Sequence, residues 1–139
     1  KEAKILKCYL AIKEDNIKLL KNNFMHEFIN YKNNKGRGML SEAAYFNSIM
    51  CLRYLIKKNC DVNEINDKGT TPLMYSKSLL LNDCKDNRFE ATKIVIKILK
   101  DNGADVNKKD FYGKTIFDYL VGINKNKILE EIIKWNSLI

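Results

Sequence analysis

The chain has 139 residues, 45% apolar and 30% charged, enough for one buried core, and it contains no apolar run of the length a membrane span requires. Its formal charge of +8 raises nucleic acid as a partner, yet 22 of the 25 basic residues are lysine, accompanied by 17 asparagines and 16 isoleucines. That bias belongs to an A- and T-rich genome rather than to a sequence reader, which relies on arginine.

The first segment carries Lys1, Lys4, Lys7, Lys13, Lys18 and Lys21, the wet face of a terminal helical unit. Its phrase Phe28-Ile29-Asn30-Tyr31 stands where Asp61-Val62-Asn63-Glu64 stands one unit later, and Leu10-Ala11 where Glu42-Ala43 does. Gly36 opens a second unit, in which Ile49, Leu52, Leu55 and Ile56 predict a helix ended by Asn59 in the left-handed conformation. Gly69 opens a third, 33 residues after Gly36, and there Thr71 and Pro72 are an N-cap hydroxyl and a first helical residue with preset φ. Val95, Ile98 and Leu99 predict its second helix, with Gly103 as the stop. Gly113 opens a fourth unit capped by Thr115, and Ile128, Leu129, Ile132 and Ile133 predict the last helix. Gly69 to Gly113 and Asn59 to Gly103 both span 44 residues, so an 11-residue insertion lies between Lys77 and Ala91. Its stretch Ser78 to Glu90 is expected to prolong the preceding helix by about a turn and then form a polar loop. Self-similarity at this period predicts a solenoid, each unit burying its apolar stripe against the next.

The third unit, with Asp67, Gly69, Thr71-Pro72-Leu73 and Gly103-Ala104-Asp105-Val106-Asn107, resembles the ankyrin repeat family. The resemblance implies an all-α ankyrin-repeat solenoid of stacked antiparallel helix pairs with hairpin-like loops, one domain of four repeats at about 1–32, 33–65, 66–109 and 110–139. The histidine usual in the family after Pro-Leu is replaced by Ser41, Met74 and Asp118, which puts its inter-repeat hydrogen bonds in doubt. The resemblance also implies a partner-binding concave side. Its hairpin tips are Asn34, Lys35 and Arg37, then Asp67, Lys68 and Thr70, then Phe111, Tyr112 and Lys114. Its helix ends are Lys13 and Glu14, Tyr45 and Phe46, and Ser78 and Leu79. Exposed rings beside Arg37 or Lys114 have the composition of an interface hot spot; alternatively one ring of each aromatic pair tucks against the next repeat.

Cys8, Cys51, Cys60 and Cys84 have no zinc or redox spacing, so reduced thiols in a reducing, cytoplasmic setting are expected, with Cys51 and Cys60 buried and Cys84 exposed in the insertion. The chain starts at Lys1 without methionine, which suggests a removed N-terminal segment or tag. His26 is the only histidine, and no nucleophile elbow, phosphate loop or metal-spaced carboxylate set is present, so no catalytic residue, metal or cofactor is assigned. The expected function is therefore a monomeric, non-catalytic protein-binding module, an adaptor or an immunity-type inhibitor, whose net field favours an acidic partner. The alternative is electrostatic binding of nucleic acid or another acidic surface through the lysines, and salt dependence separates the two.

Overall fold

The computed structural model describes residues 1–78, 87–120, 126–131 and 134. Its elements are α1 (Glu2–Glu14), α2 (Ile17–Asn23), a 3-10 turn (His26–Asn30), α3 (Met39–Phe46), α4 (Ile49–Lys57), α5 (Pro72–Ser76), α6 (Asn87–Asp101) and α7 (Ile116–Tyr119), followed by helical residues 126–131. No strand occurs among the described residues, and none of their helices is long and apolar enough to cross a membrane. The first helices α1, α3, α5 and α7 stack in one layer and the second helices α2, α4 and α6 in another, the arrangement of an ankyrin-type solenoid.

Local chemistry explains each boundary. Asp15 and Asn47 adopt left-handed backbone at φ 52° and 54°, and this turns α2 and α4 back over α1 and α3 after two residues. Asn59 and Gly103, at φ 69° and 97°, end α4 and α6 as expected, with Cys60 N–H donating to Leu55 O and Ala104 N–H to Leu99 O. Thr71 accepts the Met74 amide at 3.3 Å ahead of Pro72, and Thr115 closes a reciprocal capping box with Asp118. Gly38 begins α3 with no side-chain cap. A Cβ there would lie 2.7 Å from a Glu64 carboxylate oxygen, so this glycine makes room for a neighbour as well as starting a helix.

The core lies between the layers. Ile12, Leu20, Leu40, Leu52, Leu55, Leu73, Ile96 and Leu99 are fully enclosed, each leucine or isoleucine contributing about 2 kcal/mol by leaving water. Ala11, Ala43 and Ala44 keep the first helices close, and Ile128 is buried in the fourth unit. Polar bonds cross between units as well. The Asp15 carboxylate accepts the Cys51 and Met50 amides at 2.9 and 3.3 Å, capping α4 from the preceding unit. Asn47 donates to Ser76 O at 3.1 Å and accepts Thr92 Oγ1 at 3.2 Å. Asn63 donates to Gly103 O and accepts the Asp105 amide at 3.0 and 2.9 Å. No described buried side-chain N or O atom lacks a partner.

One expectation is corrected. Asn87 to Glu90, read as part of the polar loop, already form the first turn of α6. Glu90 suits a helix N-terminus and pairs with Lys93 at 3.1 Å, and Phe89 packs against the core. The insertion thus lengthens the second helix of its unit, to 15 residues against 9 in α4. The expected extension of the first helix over Leu79 to Leu81, and Cys84, fall outside the described residues.

Candidate partner-binding surface

Three tips repeat one hydrogen-bond design. Asn33, Asn66 and Asp110 each accept, through Oδ1, the backbone amides two and four residues on, at 2.9 to 3.0 Å. In each loop the glycine amide donates to the carbonyl three residues back, with Gly36, Gly69 and Gly113 at φ 77° to 78°. Only a residue without Cβ holds that conformation free of strain. The two residues between are pushed outward, which leaves Asn34, Lys35, Asp67, Lys68, Phe111 and Tyr112 exposed.

The tips are joined. Phe111 N–H donates to Lys68 O at 2.9 Å, and the Phe111 ring closes over Gly69, where a Cβ would come within 2.8 Å of it. Its edge is therefore anchored although 68% of the residue faces solvent; Tyr112 is 67% exposed. Both rings of this pair thus stay mostly in solvent, Phe111 touching the preceding unit by one edge alone. Lys114 is exposed beside them and Thr70 half-buried. Lys32 reaches from the first unit to donate to Ile65 O at 2.6 Å.

The other aromatic pair behaves differently. Tyr45 and Phe46 are half-buried and pack edge to face with centroids 4.9 Å apart, and Tyr45 meets Tyr75 of the next unit at 6.4 Å. Arg37 is the correction here: expected at a solvent-facing tip, it is only 8% exposed. Its Nε pairs with Glu42, and its guanidinium lies 4.1 and 5.6 Å from the Tyr45 and Tyr75 rings. A buried arginine satisfied on both sides is part of the scaffold. Ser78 is likewise buried, Leu79 lies outside the described residues, and Lys13 and Glu14 are exposed at the end of α1.

Sequence reasoning did not single out the tyrosines that support the tips. Tyr9 sits at the register position of Ser41 and donates to Arg37 O of the next unit at 2.7 Å, an inter-repeat bond made without histidine, whereas Ser41 Oγ donates to Glu64 within its own unit. Tyr75 OH accepts from Asn66 at 2.8 Å, and Tyr119 OH donates to Asp110. Recurrence of tyrosine at positions 75 and 119, 44 residues apart, was the available signal. Burial pushes the Asp110 carboxyl up, but the Tyr119 hydroxyl, the Lys114 and Tyr112 amides and the Lys114 charge outweigh it and hold it below its ordinary value. That bond, with burial second, raises the Tyr119 phenol to about 12. Lys77 and Lys114 stand 5.3 and 5.5 Å from the Tyr119 ring, and burial lowers the Lys77 ammonium. The assembled edge therefore exposes two aromatic rings on a hydrogen-bonded loop beside Lys114; among the described residues no group of His, Cys, Asp or Glu is arranged to hold a metal.

Comparison with known families agrees with the geometry. A family model described as ankyrin repeats (3 copies) matches residues 8–110, a span that begins within α1, takes in α2 to α6 and stops at the start of the third tip. No curated protein matches the chain significantly.

Proposed function

This chain belongs to the ankyrin repeat family, whose repeats are generally protein–protein interaction modules and typically non-catalytic, and from that premise we propose that it binds one partner protein across its tips, as an adaptor or an immunity-type neutraliser. The observation that carries the reading is the Phe111-Tyr112 pair, two large rings exposed on a loop whose backbone is bonded to the neighbouring tip. Exposed aromatics on a fixed backbone lose little entropy on docking, which makes them effective anchors. The three tip loops expose Lys35, Lys68 and Lys114 against one acid, Asp67, so the partner presents an acidic patch. The chain acts as a four-unit monomer in the cytoplasm, with the tip at Asp110 to Lys114 opening the fourth unit.

The test is capture from lysate on the immobilised chain, comparing wild type with a Phe111→Ala, Tyr112→Ala double variant and eluting with rising salt. The reading expects one protein retained by wild type, lost by the variant and released only gradually by salt. Retention of nucleic acid that elutes steeply with salt and ignores the variant would transfer the function to the lysines.

A further inference from the structure

The outer helices carry a second surface, remote from the tips in lining and in chemistry. Two hollows of about 430 and 420 Å³ run across α2, α4 and α6. The first has Ile17 and Lys21 from α2, Met50, Arg53 and Ile56 from α4, and Ile98 from α6 on its walls. The second shares Arg53 and Ile98 and continues to Ile94, Lys97 and Asp101, so the two form one groove.

The placement follows from helical register. Met50, Arg53 and Lys57 are spaced i, i+3, i+7 on one stripe of α4, and Ile94, Lys97, Ile98 and Asp101 i, i+3, i+4, i+7 on one stripe of α6. Met50 is 52% exposed and Ile94 40%, apolar side chains that neighbouring units leave in water. Four cations, Lys21, Arg53, Lys57 and Lys97, line the groove against one carboxylate, Asp101, which Lys97 already engages at 2.7 Å. The side chains of Arg53 and Lys57 have no hydrogen-bond or ion-pair partner among the described residues.

We propose that this groove docks an acidic amphipathic helix of a partner protein, its apolar side chains covering Met50, Ile94 and Ile98 and its carboxylates meeting Lys21, Arg53 and Lys57. A floor of aliphatic side chains and a flexible methionine under a cationic rim is the complement of a helix with one apolar face. Nucleic acid would satisfy the rim and leave the floor wet. Because the groove shares no lining residue with the Phe111 tip, this site stands or falls independently of the tip surface.

The probe is a labelled peptide of about 15 residues, with leucines at i, i+3, i+4 and i+7 and glutamates on the flanks. It is compared with its glutamine counterpart and with single-stranded oligo(dT), by fluorescence anisotropy together with amide NMR spectra of the whole chain. The acidic peptide is expected to bind about tenfold more tightly than the glutamine form and to shift amides of α2, α4 and α6. Arg53→Glu and Met50→Glu, both at exposed positions, should each weaken it by about tenfold with the remaining spectrum unchanged. The Phe111→Ala, Tyr112→Ala variant should bind it as wild type does. Absence of binding, equal binding of the two peptides, preference for oligo(dT), or wild-type affinity in Arg53→Glu overturns the proposal.

Discussion

The guanidinium of Arg37 lies 4.1 Å from the ring centre of Tyr45, eight residues along the chain, so a cation at the mouth of a tip loop is turned inward onto the end of the helix that follows. Its Nε also pairs with Glu42, and both side chains are nearly enclosed. Arg37→Met should cost about 3 kcal/mol, because it leaves the Glu42 carboxylate buried without its partner. Urea unfolding of Arg37→Met and the Arg37→Met, Glu42→Leu pair checks this. The double variant should recover part of the loss; an unchanged midpoint for Arg37→Met would place the ion pair in solvent.

Asp110 offers an internal control, since asparagine occupies its place in the other two tips. Asp110→Asn keeps the acceptor for the Tyr112 and Lys114 amides and can reproduce the bond that Asn66 makes to Tyr75, so a cost under about 1 kcal/mol is expected. Asp110→Ala removes all of these bonds and should cost about 2 kcal/mol. Thermal and urea midpoints of both variants give the comparison, and equal loss in the two would mean that charge, not loop geometry, matters at this tip.

Stability should also fall as pH rises through the titration of Glu64. Burial, the largest cause, raises this carboxyl above its ordinary 4.5; the Ser41 hydroxyl and amide and Lys32 oppose it, and Asp61 adds to the rise. The folded chain therefore holds the proton more tightly than the unfolded one. That contribution is fully present below pH 4.5 and is lost as pH rises through the raised folded value. Glu64→Gln should flatten this limb of the plot of urea midpoint against pH; an unaltered slope would assign it to another group.

Cys8, Cys51 and Cys60 are buried free thiols, raised by desolvation to about 11, 12 and 12. Thiolate is the reactive form, so alkylation of these three in native buffer should proceed only as fast as the chain opens. Peptide mapping after a timed pulse of iodoacetamide reads each site separately. Rapid labelling of Cys51 or Cys60 without denaturant would contradict the packed interior described above.

Much of the fold was legible because its signals are local and recur. Turn glycines at 36, 69 and 113, the Thr71-Pro72 start, the Thr115 cap and the Asn59 and Gly103 stops each act within a few residues, and each is found where the pattern puts it. Arg37 was misplaced because its partners include Tyr75, a whole unit away, and no neighbouring residue marks an arginine at a loop as buried. The start of α6 at Asn87 was missed for the opposite reason. Asn87 and Arg88, at the end of the polar part of the insertion, read as loop, while the contact that favours the helix there, Phe89 on the core, is tertiary. Exposure of Phe111 and Tyr112, left open by the sequence, depends on the bond to Lys68 and the closeness of Gly69.

The most direct test of partner binding across the tips is calorimetric titration of the captured partner against Tyr45→Ala, Phe46→Ala, Phe111→Ala and Tyr112→Ala, alongside a Lys1, Lys4, Lys7 triple glutamate variant. The account predicts a loss of about 2 kcal/mol or more for Phe111→Ala or Tyr112→Ala, smaller losses for the half-buried Tyr45 and Phe46, and near wild-type affinity for the lysine variant. Wild-type binding by all four aromatic variants, with the lysine variant inactive, would contradict it.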